Sequence, residues 1–315
     1  MSGSVFDDFP DWQRRILLLR ESAWRDADIN SAKVDDWLRN FKGEVLAVDV
    51  ERRHAIHLLQ QFIYFGRAEI TECLHVLFRD HFVYPTVQEL KRTLSEPQQI
   101  AAALTERVEK ETVFVGVGLP AESGTHMLYT FRAVNDLQTL TLLSLDQIFF
   151  HNQDGNVGMN PPTLKHLVFI DDLCGSGDQI VQRTSENIRK IREWFPSLKI
   201  TYFVLIATAD GLDIARKSQL FDVVEAAITF DADYKAFGEN SLCYREQYAS
   251  ISSNEGRQIA EGYGQALYPK WPLGHKDCQL LFGFEHNTPD NTLPIFWHKD
   301  SPRPWFAIFP RVIKK

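Results

Sequence analysis

Apolar positions recur at helical spacing through the first third of the chain. Pro10 is placed to open a helix at Asp11, and apolar residues then recur through Trp12, Ile16, Leu19 and Trp24. Ser31 is a candidate N-cap before "AKVDDWLRNF". The stretch "RHAIHLLQQFIYFGRAEITECLHVLFRDHF" keeps the same period with few breakers, and "TVQELKRTL" and "PQQIAAALTERVEK" continue it. Residues 1–110 therefore read as a helical N-terminal region.

The texture changes at Thr112. "TVFVGVG" is a short apolar run ending in glycine, the signature of a buried strand. "GTHMLYTFRAV" then predicts a helix, "LKHLVFI" a second strand and "DQIVQRTSENIRKIREWF" an amphipathic helix. "KITYFVLIATA", "GLDIARKSQ" and "DVVEAAITFDA" give a third strand, a short helix and a fourth strand. "NQDGNVGMNPP" reads as a loop before the second strand. Strands alternating with helices predict an α/β fold with a mainly parallel sheet, spanning 111–236. Such sheets bind ligands beyond the carboxyl ends of their strands. Over 237–315 the alternation stops. "REQYASISSNEGRQIAEGYGQAL" predicts a helix, and the apolar, Pro- and Asn-rich tail predicts a strand plus an ordered cap packed back on the sheet.

Composition narrows the class. The chain has 315 residues, 44% hydrophobic and 24% charged, with a formal net charge of −8. That charge argues against a dedicated nucleic-acid binder, whose affinity rests on phosphate contacts. A basic patch at Arg303, Arg311, Lys314 and Lys315 reads as a solvated tail. Cys73, Cys174, Cys243 and Cys278 are widely spaced, which predicts neither a zinc site nor a disulfide framework. With no signal-peptide pattern and no apolar run of about 18 to 20 residues, the expectation is a cytoplasmic protein that does not cross a membrane.

The chemistry concentrates in "HLVFIDDLCGSGDQI", His166 to Ile180. Val168, Phe169 and Ile170 bury a strand, and Asp171 and Asp172 follow at its carboxyl end. Adjacent carboxylates on a strand point to opposite sides, which argues against a dyad sharing one proton. They are placed to reach ribose hydroxyls, a Mg²⁺ ion or the next loop. Gly175-Ser176-Gly177 then turns into a helix at Asp178, presenting backbone N–H groups and a positive dipole end to a phosphate. The spacing is neither a P-loop nor GxGxxG.

This pattern resembles the phosphoribosyl-pyrophosphate (PRPP) motif of type I phosphoribosyltransferases. The resemblance implies that Asp171 and Asp172 bind the ribose 2′ and 3′ hydroxyls, directly or through Mg²⁺ carried on the ligand's phosphates. It implies that Cys174, Gly175, Ser176, Gly177, Asp178 and Gln179 hold the 5′-phosphate, although Gln179 stands where a small hydroxyl residue is usual. Glu122, Ser123 and Gly124, at the end of "VFVGVGLPAESG", occupy the place of the pyrophosphate loop but lack its usual basic residue. The fold implied is a phosphoribosyltransferase-like core with a helical N-terminal region and a C-terminal hood. Three stretches, "GLPAESGTHMLYTFR", "VFIDDLCGSGDQI" and "PLGHKDCQLLFGFEHNTPDNTLPIFW" with "PWFAIFPR", resemble the phosphoribosyltransferase-like effectors of prokaryotic conflict systems, some associated with retrons. That resemblance implies PRPP or a nucleotide as ligand, and chemistry at ribose C1 in a toxic anti-phage effector. Its partner would be a regulatory protein or ribonucleoprotein such as a retron reverse transcriptase, and a homo-oligomer is compatible. The alternative is a ligand-sensing or scaffold subunit without catalysis.

Other residues invite sharper readings than their surroundings support. His126 follows the first glycine turn. His54 and His57 lie three apart without a matching acidic ligand set. Cys174 stands near a helix start, where thiolates are favoured. Asn287, Asp290, Asn291 and Trp297 are placed either to form a lid over a base or to fix the tail's own turns. Phe284 and Trp297 are candidates to stack a base or to fill the core.

Overall fold

A computed structural model describes residues 10–117, 123–138, 143–245, 251–299 and 303–311; the side chains of 123–126 lie outside the description. The chain divides into two units, residues 1–69 with 231–315 and residues 70–230. The sequence reading placed divisions after 110 and after 236. In the structure residues 70–110 group with the sheet that follows them.

In chain order the first unit contributes α1 (Pro10–Ser22), α2 (Ser31–Leu38), α3 (Val48–Gln60) and β1 (Ile63–Phe65). Helix α4 (Arg67–Phe78) leads into the second unit, followed by α5 (Tyr84–Leu90), α6 (Pro97–Lys110), β2 (Thr112–Gly116), α7 (Ser123–Val134) and α8 (Leu145–Ile148). Then come β3 (Phe149–His151), β4 (Val157–Met159), β5 (His166–Cys174), α9 (Asp178–Trp194), β6 (Lys199–Thr208), α10 (Ala209–Lys217) and β7 (Val223–Phe230). The chain returns to the first unit with α11 (Ser253–Leu267), β8 (Phe282–Phe284) and α12 (Pro294–Trp297).

The second unit is an α/β layer structure. Its sheet is parallel throughout, in the order β2-β5-β6-β7. The apolar runs Val113–Val115, Leu167–Ile170 and Ile200–Ile206 are buried, as strands covered on both faces require. Helix α9 buries Ile180, Thr184, Ile188 and Ile191, one stripe at helical spacing, into a cluster with Leu167, Phe169, Ile200, Tyr202 and Val204. Each fully buried aliphatic side chain contributes about 1.5–3 kcal/mol relative to exposure. Within 152–162, expected as a loop, residues 157–159 are instead strand β4, which pairs with β3 in an antiparallel hairpin over 149–159. Its turn is closed by the Asn152 side chain, which accepts from the Asp154 and Asn156 N–H groups.

The first unit is built around aromatic rings. Trp37 stacks on Phe296 with centroids 5.2 Å apart, and Phe62 on Phe309 at 3.9 Å. The indole N–H groups of Trp24, Trp37, Trp297 and Trp305 donate to the carbonyls of Phe62, Ile295, Thr292 and Ile295. Asn30, rather than Ser31, caps α2: its extended backbone aims Oδ1 at the Lys33 N–H, 3.0 Å away, while Ser31 is already helical. The tail strand also departs from expectation. β8 pairs in parallel with β1, because Phe282 and Phe284 gain a ring contact with Phe65 there, and it is not a strand of the main sheet. The helix expected over 245–267 begins only at Ser253. Residues 242–244 form a 3₁₀ turn, the Ser252 hydroxyl accepts from Glu255 N–H, and 246–250 lie outside the described residues.

Candidate functional site

Strand β5 carries the acid pair. Its apolar run pairs with β2 and β6, and pairing with β6 continues beyond the acids to Cys174↔Ala207. The expected strand end at Ile170 is therefore corrected: Asp171 and Asp172 lie within the last turn of the ladder, and the chain leaves the sheet at Cys174. Register places Phe169 opposite Tyr202 and Asp171 opposite Val204. Paired residues share a face, so Asp171 projects to the side covered by α9.

The Asp171 carboxylate is held on both oxygens. Oδ1 accepts from the Asp172 N–H at 3.0 Å, and Oδ2 from the Tyr202 hydroxyl at 3.0 Å. Burial, and next the neighbouring Asp172 carboxylate, push the Asp171 pKa well above the usual carboxylate range, against the opposing bonds from Tyr202 and the backbone. The two acids thus meet, where strand alternation predicted divergence. The reason is local: Asp171 folds forward along the backbone onto the N–H of its neighbour. The Tyr202 phenol is itself raised, chiefly by burial and then by the Asp171 charge.

Beyond Cys174 the glycine turn is set by close approach of backbone to backbone. Gly177, the residue before α9, has φ +74°, a left-handed conformation that favours glycine. A Cβ on Gly177 would sit 2.7 Å from the Gly211 carbonyl oxygen and 2.8 Å from Ile214. From the other side, a Cβ on Gly211 would sit 2.3 Å from the Gly175 carbonyl oxygen. Thr208 links the two segments: its hydroxyl donates to Gly175 O at 2.6 Å and accepts from Gly211 N–H at 2.9 Å. The turn is thereby clamped between α9 and the first turn of α10. Gly175 and Gly177 are buried, Ser176 and Asp178 are half-buried and Gln179 is exposed.

Cys174 is buried beneath the turn, with its thiol beside the Tyr202 hydroxyl and the Gly177 N–H. Burial, then the charge of Asp171, pushes it up to about 12, so at neutral pH it is a thiol and a packing group rather than a nucleophile. The Gln179 amide oxygen, in the orientation that satisfies both groups, accepts from the Arg183 guanidinium at 2.6 Å. Arg183 and Tyr202 are neighbours of the motif that sequence reasoning missed.

The structure brings the strand acids and the 174–179 turn together. Of the proposed pyrophosphate loop, Glu122 lies outside the described residues. Ser123 and Gly124 open α7, with their side chains undescribed, as is that of His126. The tail candidates lie in the first unit, where Asn287 and Asp290 are half-buried. Phe284, Asn291 and Trp297 are buried, and Asn291 Nδ2 donates to Cys278 Sγ at 3.2 Å. His54 meets Glu255 and His57 meets the Cys243 carbonyl. Among the described residues no group of three or more His, Cys, Asp or Glu converges as a metal site. No described helix is long and apolar enough to cross a membrane.

A parallel sheet whose second strand in spatial order carries two acids near its carboxyl end, followed by a glycine turn and a helix start, has the layout of a phosphoribosyltransferase-like α/β core. The chain belongs to the PRTase-CE family, whose model matches residues 34–311. Solved structures with some likeness include the AQ2163 protein from Aquifex aeolicus, 20% identical over 39% of this chain and 56% of that one, TM-score 0.26. Another is orotate phosphoribosyltransferase from Aeropyrum pernix, at 17% identity over 44% of this chain and 75% of that one, TM-score 0.25. A third is the Helicobacter pylori xanthine-guanine-hypoxanthine phosphoribosyltransferase, at 10% over 53% and 88%, TM-score 0.27. No curated protein matches the chain.

Proposed function

We propose that the chain binds a ribose 5-phosphate-containing ligand, PRPP or a nucleotide, at the β5–α9 turn and acts at ribose C1. The observation that carries this reading is the clamped left-handed glycine turn leading into α9 directly after the acid pair. A phosphate seated there would meet backbone N–H groups and the positive end of a helix of 17 residues. The acids would then face the sugar, and negative charge near C1 would favour the oxocarbenium character that develops as the glycosidic bond breaks. Holding both ends of the ribose phosphate positions C1 for attack.

Two neighbouring carboxylates suit a divalent cation, which takes oxygen ligands. With no third acidic or histidine ligand converging among the described residues, Mg²⁺ at this place would draw most of its coordination from the ligand's phosphates and hydroxyls. When bound it would neutralise pyrophosphate as that group leaves.

A second reading is a ligand sensor that keeps the site without turnover. It is favoured by Asp171, whose oxygens are already engaged by protein donors, and by a 174–179 turn that carries Asp178 and no lysine or arginine. Either reading is compatible with an anti-phage effector held by a regulatory protein or ribonucleoprotein. The likeness of the three quoted stretches supports that setting.

Calorimetric titration of PRPP with Mg²⁺ tests the site. Micromolar binding to the wild type, lost in Asp171→Asn/Asp172→Asn with the variant still folded, is the expected result. Pyrophosphate release with an added base would then separate enzyme from sensor. Absence of binding to the folded wild type by PRPP, ribose 5-phosphate and nucleotides alike would overturn the proposal.

A further inference from the structure

The two acids are not equivalent. Asp171 has a protein donor on each oxygen, the Asp172 N–H on one and the Tyr202 hydroxyl on the other, and it projects to the face of the sheet that α9 covers. Tyr202 is fully buried, and its ring stacks on Phe221 with centroids 5.2 Å apart. Its hydroxyl is therefore fixed from below. It has one strong acceptor in reach, Asp171, and lies beside the Cys174 thiol at the base of the glycine turn. Asp172, one residue further along β5, is half-buried, and its side chain meets the Asp171 carboxyl from beyond these two donors.

We propose that Tyr202 is a positioning residue of this site: its bond to Asp171 fixes the exit of β5 so that Asp172 is the acid that meets the ribose. Asp171 acts inward, holding the Asp172 N–H and with it the direction of the Asp172 side chain. This rests on the ribose-phosphate reading above and divides the labour within it. Carboxylate pairs in which both members touch the sugar would have both sets of oxygens facing the ligand. Here one set faces Tyr202.

The test is titration of PRPP with Mg²⁺ into the full chain carrying Asp172→Asn, Asp171→Asn, Tyr202→Phe and the double variant Tyr202→Phe/Asp171→Asn. Amide exchange at Asp172 is followed in the same proteins without ligand. Asp172→Asn is expected to abolish measurable binding. Tyr202→Phe and Asp171→Asn are each expected to weaken it about tenfold, the scale of one hydrogen bond to a charged group. The double variant should be no weaker than either single one, because both changes break the same link. Exchange at the Asp172 N–H should quicken in Tyr202→Phe and Asp171→Asn while the rest of β5 keeps its protection. A merely structural tyrosine would lower the thermal midpoint and slow neither titration nor single out one amide. Binding that survives Asp172→Asn, additive losses in the double variant, or unchanged exchange at Asp172 would overturn the assignment while leaving the ribose-phosphate reading intact. A wild type that binds no ribose phosphate would overturn both.

Discussion

The two units of this chain are held together by different means. The unit formed by 1–69 and 231–315 contains six of the seven tryptophans, at 12, 24, 37, 271, 297 and 305, and Trp194 alone belongs to the other. Its core is a set of rings whose polar tips are anchored to backbone carbonyls, as Trp37 is to Ile295 at 2.8 Å. The 70–230 unit has apolar strands in a parallel ladder, with rings such as Phe114 and Tyr202 among the aliphatic side chains but no buried indole, and at its glycine turn backbone packs directly against backbone. A ring-built core tolerates exchange of one side chain only at the cost of a large cavity. A clamp of backbone atoms tolerates no side chain at all. The proposed chemistry sits on the second kind, where atoms are positioned by the main chain.

Truncating a central ring is the strongest way to break this comparison. Trp37 is fully buried, stacks on Phe296, meets Phe41 edge-on and donates to the Ile295 carbonyl, which Trp305 also engages. Trp37→Ala is expected to cost about 3–5 kcal/mol. Urea unfolding followed by the remaining tryptophan emission, dominated by the ring-built unit, reads the loss. A cost below about 1 kcal/mol would mean that the aromatic core is not what holds that unit.

The clamp is tested by one methyl group. Gly211→Ala places a Cβ against the Gly175 and Cys174 carbonyl oxygens, atoms of backbone that have no rotamer with which to yield. An overpacking cost of about 1–3 kcal/mol is expected. Because Trp194 is the single tryptophan of this unit, its emission in a background with the other six changed to phenylalanine, or far-ultraviolet dichroism of the natural chain, reports the change. If Gly211→Ala is neutral while PRPP binding is also unaffected, the turn is not clamped as described.

How much of this was legible beforehand follows the same division. The strands announced themselves because Val113–Val115, Leu167–Ile170 and Ile200–Ile206 are apolar runs with glycine or acidic ends, a local signal. The acids and the glycine turn were legible because their chemistry is contiguous, within Asp171 to Gln179. In the ring-built unit the helices were legible but the strand pairing was not, since β1 looks like part of a helical stretch and its partner β8 is more than 200 residues away, Ile63 opposite Phe282. Nothing local encodes a parallel pairing at that distance. Tyr202 was hidden in "TYFVLIA", where a tyrosine reads as core. The usable signal was its register, opposite Phe169 and two residues before the partner of Asp171. Arg183 could have been found from its place four residues after Gln179, since side chains on a helix lean toward the N-terminus.

Acid gives the finest distinction between the units, because a buried histidine sits at the start of the very strand that carries the acids. His166 bonds Thr201 Oγ1 through Nε2 at 2.8 Å and stacks on Phe82 at 5.4 Å. Burial, and then the charges of Lys199 and Arg107, lower its pKa to about 3. The folded state therefore stays neutral where the unfolded histidine, with an ordinary pKa near 6.5, takes up a proton. Above that value the group contributes no pH dependence. As pH falls from about 6.5 toward 3, the unfolded chain binds the extra proton and stability drops by up to about 1.4 kcal/mol per pH unit from this residue. His54 and His57 are lowered in the same direction, chiefly by burial, so the ring-built unit loses stability in acid as well. His166→Gln, which keeps a side-chain amide within reach of Thr201, should flatten the urea midpoint against pH between 6 and 4 by about one proton for the 70–230 unit, and leave the acid slope of the tryptophan-rich unit unchanged. Equal flattening of both slopes would show that the two units unfold as one, and that the contrast between ring-built and clamped cores does not extend to their cooperativity.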